Sequence, residues 1–236
     1  MHQPHYLPWL GLLDKADQAD LFVHVDHVQF ERKGWQNRNF VKTQQGGTLL
    51  TVPVLQESRA ERIDEKLVDE RRPWRKKHRR TIEQSYRAAP YWDRYGSALL
   101  ALYDQPRDRL ADVAIASTQL AFDAFGVATP VCRSSEFGPV PGAKTEMIVA
   151  LCKEVGASTF ISGSGARAYL DADLLNAAGV EVEWQSFEHP TYDQLHAAAG
   201  FLPRAAAFDL LLNVGPESLA LLRRRRVRAE EWRPTT

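Results

Sequence analysis

Within the first nine residues, MHQPHYLPW, stand His2, Gln3, His5 and Tyr6, bracketed by Pro4 and Pro8. Two imidazoles, an amide and a phenol in one short stretch could take a proton from a substrate and hold it by hydrogen bonds. Histidine is the side chain whose ordinary titration lies near neutral pH. The prolines restrict the loop, so its polar groups can be presented at low ordering cost. A second group comprises Asp26 and His27, then Asn37, Arg38 and Lys42. Neighbours on a strand point to opposite faces, so Asp26 and His27 are not automatically a pair. The amides and two cations after them suit a carboxylate or phosphate. A third group is SGSG at 162–165, with Ser162 and Ser164, and Lys144 at the start of the preceding helix. Backbone N–H groups of such a loop can cradle an anion. It is neither a Walker motif nor GxGxxG, since no Gly-Lys-Ser/Thr and no third glycine follows. The last group is HPTYDQ, with His189, Tyr192 and Gln194.

These groups need a scaffold that brings distant segments together. WLGLLDKADQA places Leu10, Leu13 and Ala16 at helical spacing, and LFVHVDHVQF alternates as a strand does. ERKGWQNRN reads as a polar loop, and TLLTVPVL (48–55) as a second strand. Helices are expected over 74–88, 91–104 and 107–125, separated by Pro90 and Pro106. Past Pro130 the pattern becomes β–α–β–α–β: VCRSSEF, TEMIVALCKEVGA, STFISG, a helix and GVEVEWQSF. That alternation predicts parallel strands joined by helices, with 21–29, 158–162 and 179–184 in one mainly parallel sheet. In open α/β folds, ligands bind at the carboxyl ends of such strands. The fold class expected is therefore α/β: a Rossmann-like, mainly parallel sheet with helices on both faces. It forms a single domain over 1–236 with a helical insertion near 57–128.

Composition narrows the function classes. The 236 residues are 44% hydrophobic and 25% charged, which excludes a disordered or fibrous chain. Lys plus Arg and Asp plus Glu are both 30, so bulk charge does not predict nucleic-acid binding. Cys132 and Cys152 are too few for a disulfide framework, and Cys152 reads as helix packing. No run reaches the roughly 18 to 20 apolar residues of a membrane span, and no signal peptide opens the chain, so a cytoplasmic protein without a membrane partner is expected. The seven histidines show no metal-ligand spacing, and no metal site is predicted. Seven Lys or Arg fall within 71–80 and RRRRVR spans 223–228; both read as solvated basic faces, the first with the option of docking an acidic carrier. The tail EEWRPTT is expected to be mobile.

Several stretches together resemble the WbqC-like protein family: HQPHYLPWLGLLDKADQADLFVHVDHVQFERKGWQNRN, LTVPV, RTIEQSYRAAPYW, ISGSGARAYL, HPTYDQ and FDLLLNVG, in the family's order. Relatives usually carry a short apolar strand before His-Gln-Pro, so the first strand is expected to be missing or shortened, and His5 stands where Asn is common. The resemblance implies a role in glycan, O-antigen or natural-product biosynthesis. The activity favoured is transfer of an acyl or aminoacyl group from a carrier-protein thioester to a small-molecule amine such as an amino sugar. On that reading His2 or His27 is the general base, oriented by Asp26. Arg38 and Lys42 hold an anionic donor, and Tyr6, Asn37, Tyr192 and Gln194 fix the acceptor. No cofactor is expected. Two alternatives stand beside it: nucleotidyl or adenylyl transfer, which needs ATP and Mg²⁺, and a non-catalytic module that binds a carrier or a glycan-assembly protein.

Overall fold

Pro4 and Pro8 keep the N-terminus non-helical, and α1 (Leu10–Asp17) follows directly. Nearly every residue of α1 is buried, Asp14 and Lys15 included, so this is an interior helix and not an amphipathic surface one. Strand β1 (Phe22–His24) runs parallel to β4 (Val131–Arg133), with Val23 opposite Cys132. On its other edge β1 meets one residue: the His2 N–H donates to the Val23 carbonyl at 3.0 Å, and the Val25 N–H to the His2 carbonyl at 2.8 Å. The computed structural model describes residues 1–55, 61–224 and 226. The tail expected to be mobile lies outside the described residues.

Strand β1 is shorter than the alternating run suggests, because Asp26 leaves it. The Asp26 N–H donates to Ser134 Oγ, and its carboxylate accepts from Ser134, Ser135 and Arg133. Those bonds turn the chain out of the strand and also convert residues 134–137, expected as strand, into a 3-10 turn. The loop expected from 31 to 39 ends early. Strand β2 (Arg38–Thr43) forms a hairpin with β3 (Gly46–Thr51). Its turn closes at Gly46, whose φ of 99° favours glycine.

Helices α2 (Trp74–Tyr86), α3 (Trp92–Ala101) and α4 (Leu110–Phe125) occupy the expected places. After β4 come α5 (Thr145–Glu154), β5 (Thr159–Gly163), α6 (Ala172–Ala177) and β6 (Glu181–Gln185). Then follow α7 (Phe208–Val214) and α8 (Ser218–Arg223). β5 and β6 are parallel, with Ile161 opposite Glu183, as their crossover helix requires. The fold is Rossmann-like α/β with short parallel pairs. The expected single sheet is corrected: β1–β4, β2–β3 and β5–β6 are separate two-stranded sheets among the described residues. No strand lies between β1 and β5 there, and the edge of β1 on that side is met only by His2.

The core explains the division. One large apolar cluster runs from Tyr6 to Leu222 and takes in α1, α2, α3, α4 and α7, so the helices within 57–128 pack into the same interior as the N-terminal segment. A smaller cluster of Cys152, Phe160, Leu170, Leu175 and Val180 holds the β5–α6–β6 lobe together. No helix among the described residues is long and apolar enough to cross a membrane.

Among the described residues the two basic runs are largely exposed, as expected, but several of their cations are held in ion pairs. Arg223 forms an ion pair with Asp17, and Arg226 pairs with both Asp14 and Asp17. They tie the C-terminal end of the described chain onto α1, whose carboxylates would otherwise be buried and unpaired. In the 71–80 run, Arg71 and Arg72 pair with Asp69, Arg75 with Glu70, and Arg79 with Asp104. Arg71 and Arg72 stay exposed despite their ion pairs, and Lys76, Lys77 and Arg80 are exposed as well.

Candidate functional site

Where β1, β5 and β6 end, the main body and the small lobe face each other across a cleft of about 430 Å³. His2, Gln3, Trp9 and Lys15 line it from one side, and Ser162, Gly163, Gly165 and Tyr169 from the other. The two parallel pairs therefore share a mouth although they do not share a sheet. This is where ligands bind in open α/β folds and between lobes generally. Gly11 permits the close packing of the near wall. A Cβ there would fall 2.2 Å from the Trp9 ring, which lies over α1, and the Gly11 carbonyl accepts from Gln185 Nε2 at 2.7 Å.

His2 has a fixed tautomer. Its Nδ1 lies 2.8 Å from the Gln3 carbonyl, which can only accept, so Nδ1 carries the proton and Nε2 keeps its lone pair. The His5 ring meets His2 edge-on, with centroids 4.4 Å apart. Burial, then His5 and Lys15 nearby, lowers His2 well below its ordinary value. Burial and Lys15 bring His5 down to about 4. Gln3 Oε1 accepts from Gln36 Nε2 at 2.8 Å, which leaves the Gln3 amide N–H₂ as a donor on the cleft. Ser162 is buried, lines the cleft, and its hydroxyl has no hydrogen-bond partner among the described residues.

Lys15 is the residue that periodicity did not single out. It is 7% exposed, lines the cleft, and makes no hydrogen bond or ion pair among the described residues. Burial lowers its ammonium from 10.5 to about 8, against the pull of Asp14. Asp14 cannot neutralise it directly, because its oxygens are held by Gln18, Gln185 and Arg226. A lysine in DKAD reads as a helix surface charge. Only the long-range packing of α1 shows otherwise.

The predicted residues fall in several places. His2, Gln3 and Ser162 come together on the cleft, with His5 packed against His2. Asp26 and His27 lie outside the cleft lining and make no hydrogen bond to each other, so the structure does not bring them together as a base and its orienting carboxylate there. Asp26 is fully buried and spends its oxygens on Arg133, Ser134 and Ser135, while His27 Nδ1 lies 2.6 Å from Ser134 Oγ. Burial would raise the Asp26 carboxyl, and the hydrogen bonds from Arg133 and Ser135 hold it below its ordinary value. The pair anchors the 3-10 turn after β4.

Tyr6 is interior too, bonded to His78 Nδ1 at 2.8 Å and Tyr103 at 2.6 Å. Asn37 donates to the Val52 carbonyl across the base of the hairpin. Arg38 bonds the Arg32 carbonyl, so it braces the 31–38 loop, and among the described residues it pairs with no carboxylate. Lys42, Tyr192 and Gln194 belong to a buried network around Asp209. Lys42 Nζ meets Gln194 Oε1 at 3.0 Å, and Asp209 accepts from Tyr86 at 2.7 Å, Tyr192 at 2.9 Å and Gln194 at 2.8 Å. A buried carboxylate with three donors and a lysine close by is satisfied where it stands. His189 stacks on Tyr192 and packs edge-on to Phe201, apart from the cleft lining. Lys144 and Ser164 are exposed outside that lining. No three His, Cys, Asp or Glu side chains among the described residues are grouped to hold a metal ion.

Comparison with known proteins fits this picture. The family model described as WbqC-like protein family matches residues 3–221. The uncharacterized protein Rv1507c of Mycobacterium tuberculosis is similar, at 32% identity over 224 residues, covering 94% of this chain and 95% of its own. No solved structure matches.

Proposed function

The chain belongs to the WbqC-like protein family, and on that premise we propose that it is a group-transfer enzyme that moves an acyl or aminoacyl group from a thioester to an amine in the cleft between its lobes. The observation that carries the reading is the His2 imidazole at the cleft, with Nδ1–H committed to the Gln3 carbonyl and Nε2 unprotonated. The acceptor amine adds to the thioester carbonyl carbon and a C–N bond forms. His2 Nε2 takes the proton from the nitrogen, the C–S bond breaks, and the proton passes to the departing thiolate. A weak base suffices, because an amine that has added to a carbonyl is a far stronger acid than the free ammonium. Gln3 and Ser162 offer donors where negative charge develops on the carbonyl oxygen. Tyr169, 59% exposed beside the mouth, offers a ring against which a sugar or pantetheine arm can pack.

Calorimetry with three probes tests the proposal: an acyl carrier protein, an amino-sugar nucleotide and ATP·Mg²⁺. Gly165 supplies the control. It lines the cleft, its φ is ordinary, and a Cβ there meets nothing within 4 Å, so Gly165→Trp adds a large ring at the cleft wall without backbone strain. Binding of the amino-sugar nucleotide or carrier that disappears in Gly165→Trp supports the reading. Binding of ATP·Mg²⁺ alone would replace it with nucleotidyl transfer.

A further inference from the structure

We propose that Lys15 anchors an oxyanion of the ligand, a carboxylate or a phosphate, at the inner end of the cleft, over Gly163. The inference rests on the cleft being the substrate site, and it adds the charge class of what enters. Lys15 is almost wholly buried, yet nothing among the described residues accepts a hydrogen bond from its Nζ. A buried cation without a partner is costly, and such groups in proteins are paired or coordinated.

The groups around Lys15 do not fill that role. His2 and His5 from the N-terminal loop and the Met1 amine are basic groups that interact unfavourably with it. Asp14, on its own helix, is occupied by Arg226, Gln18 and Gln185. Glu31, which also lines the cleft, is exposed to water.

The opposite wall leaves room. A Cβ on Gly163 would sit 3.7 Å from Lys15 Nζ, so any side chain there would enter the space next to the ammonium. Two further polar groups of the cleft, the Gln3 amide and the Ser162 hydroxyl, can donate to the same ligand. Neither they nor the neutral His2 imidazole supplies the anion that Lys15 lacks. An oxyanion bound there would reverse the surroundings of Lys15 and favour its charged form.

The test is ¹³C NMR of protein labelled with [ε-¹³C]lysine, titrated from pH 6 to 11. The Lys15 resonance is identified by its absence in Lys15→Met. The probes are inorganic phosphate and acetate, each added separately. The Lys15 midpoint should rise by about one unit or more with one of them, as an opposite charge within reach of an ionisable group does, while the other lysines stay in place. A rise with phosphate alone assigns the anion as phosphate, and a rise with acetate alone assigns it as carboxylate. In Gly165→Trp the rise should vanish. No movement with either probe, or a rise that survives in Gly165→Trp, overturns the proposal. The readout needs no turnover. Absent transfer activity with an intact Lys15 response would discard the reaction and keep the anion site. A cleft that binds the amino-sugar nucleotide without a Lys15 response would do the reverse.

Discussion

Replacing Lys15 by methionine keeps the apolar stem and removes the charge, and the stability of the protein should rise. Burial holds the ammonium at about 8 against an ordinary 10.5, and at about 1.4 kcal/mol per unit the folded state carries a cost of about 3 kcal/mol at pH 7. The sign follows from linkage. Below pH 8 both folded and unfolded chains hold the proton, and the folded chain bears the full cost. Between 8 and 10.5 the folded chain gives the proton up first, the unfolded state binds more protons, and the stability of the wild type climbs. Above 10.5 the cost is gone. Lys15→Met should therefore exceed the wild type by about 2–3 kcal/mol at pH 7, or roughly 4–12 °C in Tm for a chain of this size. The advantage should shrink to near zero by pH 10.5. Urea unfolding of both proteins at pH 7, 8, 9 and 10.5 measures it. A variant less stable than the wild type at pH 7, or a difference that does not change with pH, would refute the argument that Lys15 is buried without a counter-ion. The residue would then be packing or paired in solution.

Asp26→Ala should cost about 3 kcal/mol, the lower end for breaking a buried pair because Arg133 keeps Asp112. The Asp26 carboxyl titrates below its ordinary 3.8, so its contribution is complete above that pH and lost as pH falls through the folded value. Denaturant melts from pH 7 downward should show the wild-type advantage complete at pH 7 and shrinking only once the pH is below 3.8. Arg226→Ala leaves the buried Asp14 without its cation, and thermal melts should fall by an amount equivalent to about 1–3 kcal/mol. The triple reversal of Lys76, Lys77 and Arg80 to Glu should leave Tm within about 6 °C, since exposed changes usually cost no more than about 0.5 kcal/mol each. Native gels and calorimetry at low salt then read carrier docking on α2 without disturbing the ion pairs of Arg75 and Arg79.

Local pattern carried the helices, β5, β6 and the N-terminal loop well, because their period and punctuation depend on near neighbours. It also placed His2, Gln3 and Ser162 at strand ends, where the cleft lies. It failed where partners come from far along the chain. Lys42 has the look of a loop cation until Gln194, 152 residues later, closes on its ammonium. Asp26 next to His27 suggests a catalytic dyad until Arg133 and Ser134, more than a hundred residues on, claim the carboxylate. The same holds for α1. Asp14, Lys15 and Asp17 imply a solvated face, and only the C-terminal arginines and the small lobe make that face interior. Charge inside a helix is legible once its distant partners are known, and Lys15 is visible by lacking one.

The most direct test of the cleft as the place of transfer is a single-turnover assay read by mass spectrometry. An acyl carrier protein loaded with a thioester and a panel of amino sugars are mixed with the wild type, His2→Ala and Gly165→Trp. The account predicts an amide product together with free carrier thiol from the wild type. The rate should fall by about 10²–10⁴ in His2→Ala, the range for loss of a general base, with no product from Gly165→Trp although it melts like the wild type. Product formed at the wild-type rate by both variants would contradict it.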